Sequence, residues 1–157
     1  GADRAGSGPR SGFDHGDLVA VGAASVALGL ADRAVEEADG LAPAEAIGRW
    51  TASIGAAGTF LERVATEVVD PVGQGGPGLP PEVGPEMVAA ALHAVEAALG
   101  VVEAVYRLGG PEAVLHASIL QRLLRDVQTV AQYPAVSPSR WSELDPSGSG
   151  SGAGPPA

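Results

Sequence analysis

The side chains that could do chemistry in this chain lie close together on one predicted helix. Arg122, Asp126, Thr129 and Tyr133 are spaced so that they form one stripe along a helix, and Arg125 lies on its far side. Such a stripe offers a guanidinium that can bind an anion, a carboxylate that accepts hydrogen bonds and a phenol that can donate one. Because the stripe runs beside an apolar arc, we expect these groups at the edge of a core.

The pair Arg122 and Asp126 has two readings. Their i,i+4 spacing is that of an ion pair on the surface of a helix, which is worth only about 0.3–0.5 kcal/mol in solvent. Alternatively, both could face a cofactor or a subunit interface. The spacing does not choose between these readings.

Four segments with helical periodicity position this stripe. They are separated by turn signals, of which the sharpest is Gly109-Gly110-Pro111 before the last helix, and no segment has the pattern of a strand. The predicted helices cover about residues 14–40, 43–69, 86–108 and 111–133, with Asp70-Pro71 ending the second. The predicted fold is therefore all-α, an antiparallel (up-down) four-helix bundle.

The bundle is expected over residues 14–141. A flexible segment should precede it at 1–13 and a disordered Gly/Ser/Pro tail should follow it at 142–157, because neither offers apolar area to bury. Trp141 is expected to hold the start of the tail against the bundle.

The first predicted helix is apolar almost all round between residues 18 and 31 and should lie deep in the domain. A stripe of small residues along it should let another backbone approach closely. It consists of Leu18, Gly22, Ser25 and Gly29, of which only the first is large.

Composition excludes several classes of function. A net charge of -10 argues against nucleic acid as a partner, and the absence of cysteine removes disulfides and thiolate chemistry. The charge-free run of residues 18–31 is too short to span a bilayer, so no membrane is expected and the cytoplasm is the predicted location. His15, His93 and His116 are scattered, so no metal site is predicted.

Several short runs resemble a known family. Residues 110–115, 120–122, 125–126 and 131–133 are similar to the last core helix in the C-terminal helical-bundle domain of acyl-CoA dehydrogenase-like flavoenzymes. The closest branch contains the flavin-dependent monooxygenases and nitrososynthases, whose helix reads L-Q-R-x-x-R-D followed by six residues and a histidine. This chain has Tyr133 at that last position. Residues 27–34 also resemble the run that opens the bundle in the same family.

The resemblance implies a fold, a cofactor and partners. Complete members have a helical domain, a β-domain carrying much of the flavin site and a C-terminal bundle, and this chain is similar to the last part alone. FAD or FMN is the implied cofactor, with Arg122, Arg125, Asp126 and Tyr133 beside it once the missing domains are supplied. The implied function is flavin-dependent oxidation, with no turnover by the bundle alone and no catalytic residue that we can name.

The same resemblance leaves alternatives open. Tyr133 could hydrogen-bond near the flavin ring or simply pack at a helix end, and a phenol with a pKa of about 10 cannot take over a histidine's titration near neutral pH. The expected partners are further copies of this chain, as a dimer or tetramer, or a flavin-binding partner subunit. A non-catalytic helical-bundle assembly protein derived from this fold is the alternative function, and an unrelated bundle is the third.

Overall fold

The computed structural model describes residues 15–73, 83–114 and 118–144. Within these ranges the chain is all-α and contains no strand. The α-helices are α1 (His15–Glu37), α2 (Ala44–Gly73), α3 (Val83–Leu108) and α4 (Ile119–Ala131). Short 3-10 turns cover Gly110–Val114, Pro134–Val136 and Pro138–Glu143. The predicted all-α helical bundle is confirmed.

The packing of α1 on α3 forms the centre of the bundle. It is the most extensive contact between elements, and α2 and α4 each pack against both central helices. The residues that α1 and the turn after it bury most completely are alanines, at positions 20, 24, 27, 31, 34 and 38. Alanine has no side chain beyond Cβ, so this seam allows the backbones of α1 and α3 to lie close together.

The small-residue stripe of α1, predicted to pack against another backbone, lies on the exposed side of the helix. Gly22, Ser25 and Gly29 are exposed, and Leu18 retains 54% of its surface. The prediction that this helix is buried all round is also wrong. The physical reason is that burying the alanine seam removes a methyl group from water at every turn, whereas burying a glycine removes none.

The apolar side chains of α2 and α3 form seams that face the core. Ile54, Leu61 and Val68 of α2 are buried, while Leu99 and Tyr106 of α3 are partly exposed at the edge of the core. The buried residues of the α3 seam include Val88, Leu92, Val95 and Val102.

The end of α2 differs from the prediction. The helix continues past Asp70-Pro71 to Gly73. Pro71 lies in the last turn, where its missing N–H removes one hydrogen bond near the end of the helix.

The fourth helix is shorter than predicted. Residues 110–114 form a 3-10 turn, Ser118 is extended with φ -68° and ψ 132°, and α4 begins only at Ile119. A Cβ on Gly109 would lie 2.8 Å from both Ala113 Cβ and Leu120 Cδ1, so the turn packs tightly on the start of α4. Periodicity does not reveal this 3-10 turn, so the predicted helix begins too early.

The residues after α4 return to the bundle. Ala135 and Val136 are buried, and Trp141 Nε1 donates a hydrogen bond to Glu96 Oε1 of α3 at 2.6 Å. The predicted role of Trp141 is confirmed. Leu144 packs against the core. Of the predicted tails at 1–13 and 142–157, only residues 142–144 lie within the described part of the chain, and the 3-10 turn continues to Glu143.

Two helices are long and apolar enough to cross a membrane by length and composition, Gly16–Glu37 and Val83–Leu108. The bundle buries 56% of the most apolar 18-residue segment of α3, but only 28% of the corresponding segment of α1. Core helices of soluble proteins pass the same test, so the absence of a membrane stays a prediction.

Enlarging a residue of the alanine seam should destabilise the bundle. Ala27→Leu places three extra carbons at the α1–α3 contact and should lower the free energy of unfolding by about 1–3 kcal/mol, measured by urea denaturation. The matched control is Val26→Leu, one residue away and 55% exposed, which should change it by less than about 0.5 kcal/mol. Equal effects of the two substitutions would contradict the described seam.

Gly109→Ala should also destabilise, because the added Cβ would overlap Ala113 and Leu120. We expect a loss of about 1–3 kcal/mol in urea denaturation. Gly48→Ala on α2, where a Cβ would meet nothing within 4 Å, should instead stabilise by up to about 1 kcal/mol through helix propensity. A neutral Gly109→Ala would show that the turn does not pack as described.

Candidate functional site

The four side chains predicted to carry function all project outward from the last helix or the residues just after it. Arg122 and Arg125 are exposed and Asp126 is partly exposed on α4, whose opposite side is buried in the core. Tyr133 follows the C-terminal cap of α4, in extended conformation, and retains 52% of its surface. The predicted polar stripe at the edge of the core is therefore present.

The predicted ion pair between Arg122 and Asp126 is not formed. Asp126 Oδ1 lies 3.9 Å from Arg125 Nε instead, and both of these side chains are largely exposed. Arg122 makes no ion pair with any residue in the described ranges. In solvent, the small free energy of an i,i+4 pair does not fix two long side chains in one geometry.

Arg125 lies in an open groove between α3 and α4. The groove has a volume of about 480 Å³, and Glu103 on its α3 side pairs with Arg107 at 2.9 Å. Its remaining lining residues are Leu99, Gln128, Thr129, Ala131 and Gln132. The amide and guanidinium groups here could donate hydrogen bonds to oxygen atoms of a ligand.

Tyr133 lies in a different groove, between α4 and α1. This groove has a volume of about 300 Å³ and is almost entirely apolar. It is lined by Val19, Gly22, Ala23, Val26, Val130 and Tyr133. A Cβ on Gly22 would meet nothing within 4 Å, so the glycine leaves the groove open.

A third groove of about 520 Å³ lies on the other side of Tyr133. It shares Val19 and Tyr133 with the apolar groove and ends at Arg140. Val19 and Tyr133 therefore line two adjoining grooves beside the first half of α1.

The candidate residues do not converge on one point. Arg125 lines the groove against α3, whereas Tyr133 lines the groove against α1. Neither Arg122 nor Asp126 lines any of the three grooves described here. The polar edge of α4 agrees with the prediction, whereas the contribution of α1 to the grooves was not predicted.

An ion pair at one end of the grooves was also missed. Arg140 Nη2 lies 3.8 Å from Asp17 Oδ1, and their side chains retain only 24% and 13% of their surface. The pair joins the C-terminal 3-10 turn to the first turn of α1. No local spacing pattern could reveal it, because the two residues are at opposite ends of the bundle sequence.

The largest electrostatic perturbation on α2 lies away from the grooves. Hydrogen bonds from Arg63 to Glu86, and then to Glu67, raise the pKa of its guanidinium. Arg63 also lies over the Phe60 ring, 5.3 Å from its centroid. This cluster bridges α2 and α3 on the surface.

Within the described residues, no group of three or more histidine, aspartate or glutamate side chains could hold a metal ion. His93 is exposed on α3, while His116 and the side chain of His15 lie outside what the structure describes. The prediction of no metal site therefore stays a prediction.

The fold and the site together define the class of protein. It is a helical bundle with open grooves on both sides of its last helix. The model of the acyl-CoA dehydrogenase C-terminal domain matches residues 37–138, which is more than half of the chain. The chain belongs to this family. Comparisons with curated proteins and with solved structures found no match.

The family match locates the shared part of the bundle. It begins at the last residue of α1 and extends through α2, α3 and α4 into the last 3-10 turn. Almost all of α1, and with it one side of the Tyr133 grooves, precedes the matched range. The family usually binds FAD, and its C-terminal domains generally mediate oligomerisation.

The grooves fit a flavin only as part of a larger site. An apolar surface beside an aromatic ring can cover one face of a planar ring system, and Arg125 can donate hydrogen bonds on the other side of α4. All three grooves are open to solvent, so none of them alone could enclose a flavin.

Replacing either arginine of α4 should leave stability almost unchanged. Arg122→Gln and Arg125→Gln should each shift the free energy of unfolding by less than about 0.5 kcal/mol, because both side chains are exposed and neither is held in a strong ion pair. Leu123→Ala, which removes a buried side chain of the same helix, should cost about 2–4 kcal/mol. A loss above about 1 kcal/mol for either arginine would assign it a structural role.

Proposed function

We propose that this chain is the C-terminal bundle domain or subunit of an acyl-CoA dehydrogenase-like flavin-dependent oxidoreductase. It contributes to oligomer assembly and to one wall of the flavin pocket, and it does not turn over substrate without flavin-binding domains. The observation that carries the proposal is the family match over residues 37–138. The open grooves beside α4 support it, because a surface completed by another domain is expected to be open when that domain is absent.

The proposed flavin wall consists of side chains from α4 and the residues after it. Tyr133 and the apolar groove beside it would cover part of the ring system, while Arg122 and Arg125 would donate hydrogen bonds and Asp126 would accept them. FAD is the cofactor usual in the family, and FMN is the alternative. When bound, the flavin would supply the two-electron oxidation of an organic substrate.

The finer resemblance is to the monooxygenase and nitrososynthase branch. The run L-Q-R-x-x-R-D at residues 120–126 supports this assignment, and Tyr133 departs from it. A phenol can donate a hydrogen bond but stays protonated near neutral pH. In the proposed enzyme, any proton transfer that the branch assigns to its histidine would therefore fall to another group.

One observation favours the alternative function, a non-catalytic assembly protein derived from this fold. The candidate side chains are divided between grooves on two sides of α4, with Arg125 in one and Tyr133 in another. A bundle that retained only its association surface would tolerate such divergence. In both proposals the expected partners are protein, the net charge of -10 disfavours nucleic acid, and the cytoplasm is the proposed location.

Co-expression of the tagged chain with the products of the flanking reading frames tests the flavin role. We expect the isolated complex to carry flavin absorbance and the chain alone to carry none. Tyr133→Ala and Arg125→Ala should each weaken flavin binding about tenfold without dissociating the complex, which corresponds to about 1.4 kcal/mol. Arg49→Ala is the matched control, because Arg49 is exposed on α2 and pairs only with Glu45 across one turn.

The outcomes separate the two functions. Flavin binding that is unchanged in both variants would show that α4 does not form the wall. Complexes without flavin under all conditions would overturn the oxidoreductase proposal and leave the assembly protein.

A further inference from the structure

The residues after Tyr133 form a short segment that crosses the two central helices. Residues 134–144, the C-terminal strap, consist of two 3-10 turns and end at Leu144, which packs against the core. The first turn contacts both α1 and α3, and the second contacts α3. Ala135 and Val136 in the first turn are buried, with 9% and 2% of their surface exposed. The strap is therefore docked on the bundle along its length.

Tyr133 joins α4 to the strap. Its backbone N–H donates a hydrogen bond to Val130 O at 3.0 Å, and its carbonyl oxygen accepts one from Val136 N at 3.0 Å. Pro134 follows it, and a proline ring clashes with a helical backbone at the residue before it. Tyr133 is accordingly extended, with φ -63° and ψ 132°. The direction of the Tyr133 side chain is thus tied to the path of the strap.

A second proline stiffens the middle of the strap. Ser137 precedes Pro138 and is extended in the same way as Tyr133, with φ -71° and ψ 147°. Each proline also fixes its own φ near about -65°. The backbone between Tyr133 and the end of the strap therefore has little freedom to bend, so a displacement at one end is transmitted to the other.

Two polar contacts hold the far end of the strap. Trp141 Nε1 donates a hydrogen bond to Glu96 Oε1 of α3 at 2.6 Å, and Arg140 Nη2 lies 3.8 Å from Asp17 Oδ1 of α1. A hydrogen bond to a carboxylate is roughly twice as strong as one between neutral groups. The far end of the strap is therefore attached to both central helices, and the short bond of Trp141 is the attachment to α3.

The docked strap and the Tyr133 ring line the same groove. The third groove is bounded by Tyr133 and the strap on one side and by the start of α1 on the other, and the ring also lines the apolar groove. No hydrogen bond from another described residue holds the phenol oxygen. The position of the ring in the two grooves therefore depends on the backbone at its base, which the strap fixes.

We propose that Trp141 is a positioning residue for Tyr133. By donating to Glu96, it holds the strap on α3, and the docked strap holds the Tyr133 ring at the junction of the two grooves. The proposal rests on the role of Tyr133 in the proposed flavin wall and adds the residues that place the ring there. Neither Trp141 nor Glu96 lines any of the three grooves, and Trp141 lies beyond the matched range of residues 37–138.

Thiol labelling of the full chain measures how firmly Trp141 holds the strap. Val136→Cys introduces a single thiol at a buried position, because the chain contains no cysteine. In this background, Trp141→Phe removes the indole donor but keeps an aromatic ring. It should raise the labelling rate about threefold to tenfold, the effect of losing one hydrogen bond on local opening. Trp50→Phe, on the helix α2 that lines none of the three grooves, is the matched control and should leave the rate unchanged.

Substitutions of the acceptor show whether the hydrogen bond itself is responsible. Glu96→Ala should raise the labelling rate as much as Trp141→Phe does, and the two substitutions together should add nothing further. Glu96→Gln keeps an oxygen that can accept from the indole, so it should raise the rate less. Circular dichroism should show unchanged helicity in all of these variants, because both side chains are exposed.

Flavin binding by the co-expressed complex tests whether Trp141 acts through Tyr133. Trp141→Phe should weaken flavin binding about threefold to tenfold, the effect of one hydrogen bond. In a Tyr133→Ala background it should cause no further loss, because the ring that it positions is no longer there. A residue with a structural role alone would have the same effect on flavin binding in both backgrounds.

The results distinguish this proposal from the proposed function. Faster labelling, together with a loss of flavin affinity that requires Tyr133, supports the positioning role. An unchanged labelling rate overturns that role and leaves the proposed function standing. So does faster labelling with unchanged flavin affinity, and so does a loss of affinity that persists without Tyr133. A complex of the unmodified chain that carries no flavin overturns both.

Discussion

The close approach of α1 to α3 determines how the other elements can pack. A seam of alanines, in which no side chain extends beyond Cβ, brings the two helix backbones together and leaves α2 and α4 to flank them. The largest fully buried side chains include Met87 and Leu92 of α3 and Val127 of α4. The width of the bundle, and with it the grooves between α4 and its neighbours, follows from the small size of the residues at its centre.

The helices of this fold could be predicted from sequence because three of them carry an unbroken apolar period. The spacing of Val88, Leu92, Val95 and Val102 in α3 places all four side chains on one face of a helix, and all four are buried. The buried face of the first helix was harder to predict, because this helix carries two stripes of small residues. The spacing of Gly22, Ser25 and Gly29 is as regular as that of the alanines. The choice between them depends on how much apolar area each stripe buries across the whole bundle, which is not a local property.

The fourth helix shows the second limit of sequence reasoning. Its core residues Leu120, Leu123 and Val127 are buried, but it begins only at Ile119, after a 3-10 turn that apolar periodicity does not reveal. At the candidate site, the polar edge of α4 could be read from the sequence, whereas its partition between two grooves could not. That partition depends on which helices flank α4, and hence on the packing of α1 against α3.

The half-buried pair of Asp17 and Arg140 places the entry and the exit of the bundle beside each other. Polypeptide that led into α1 and polypeptide that continued beyond the last 3-10 turn would therefore meet the bundle at the same end. The opposite end carries only the α1–α2 connection and the turn around Gly110, where Leu41 and Leu108 are exposed. A bundle connected in this way can be joined to other domains at one end. Its opposite end then makes no covalent connection to those domains.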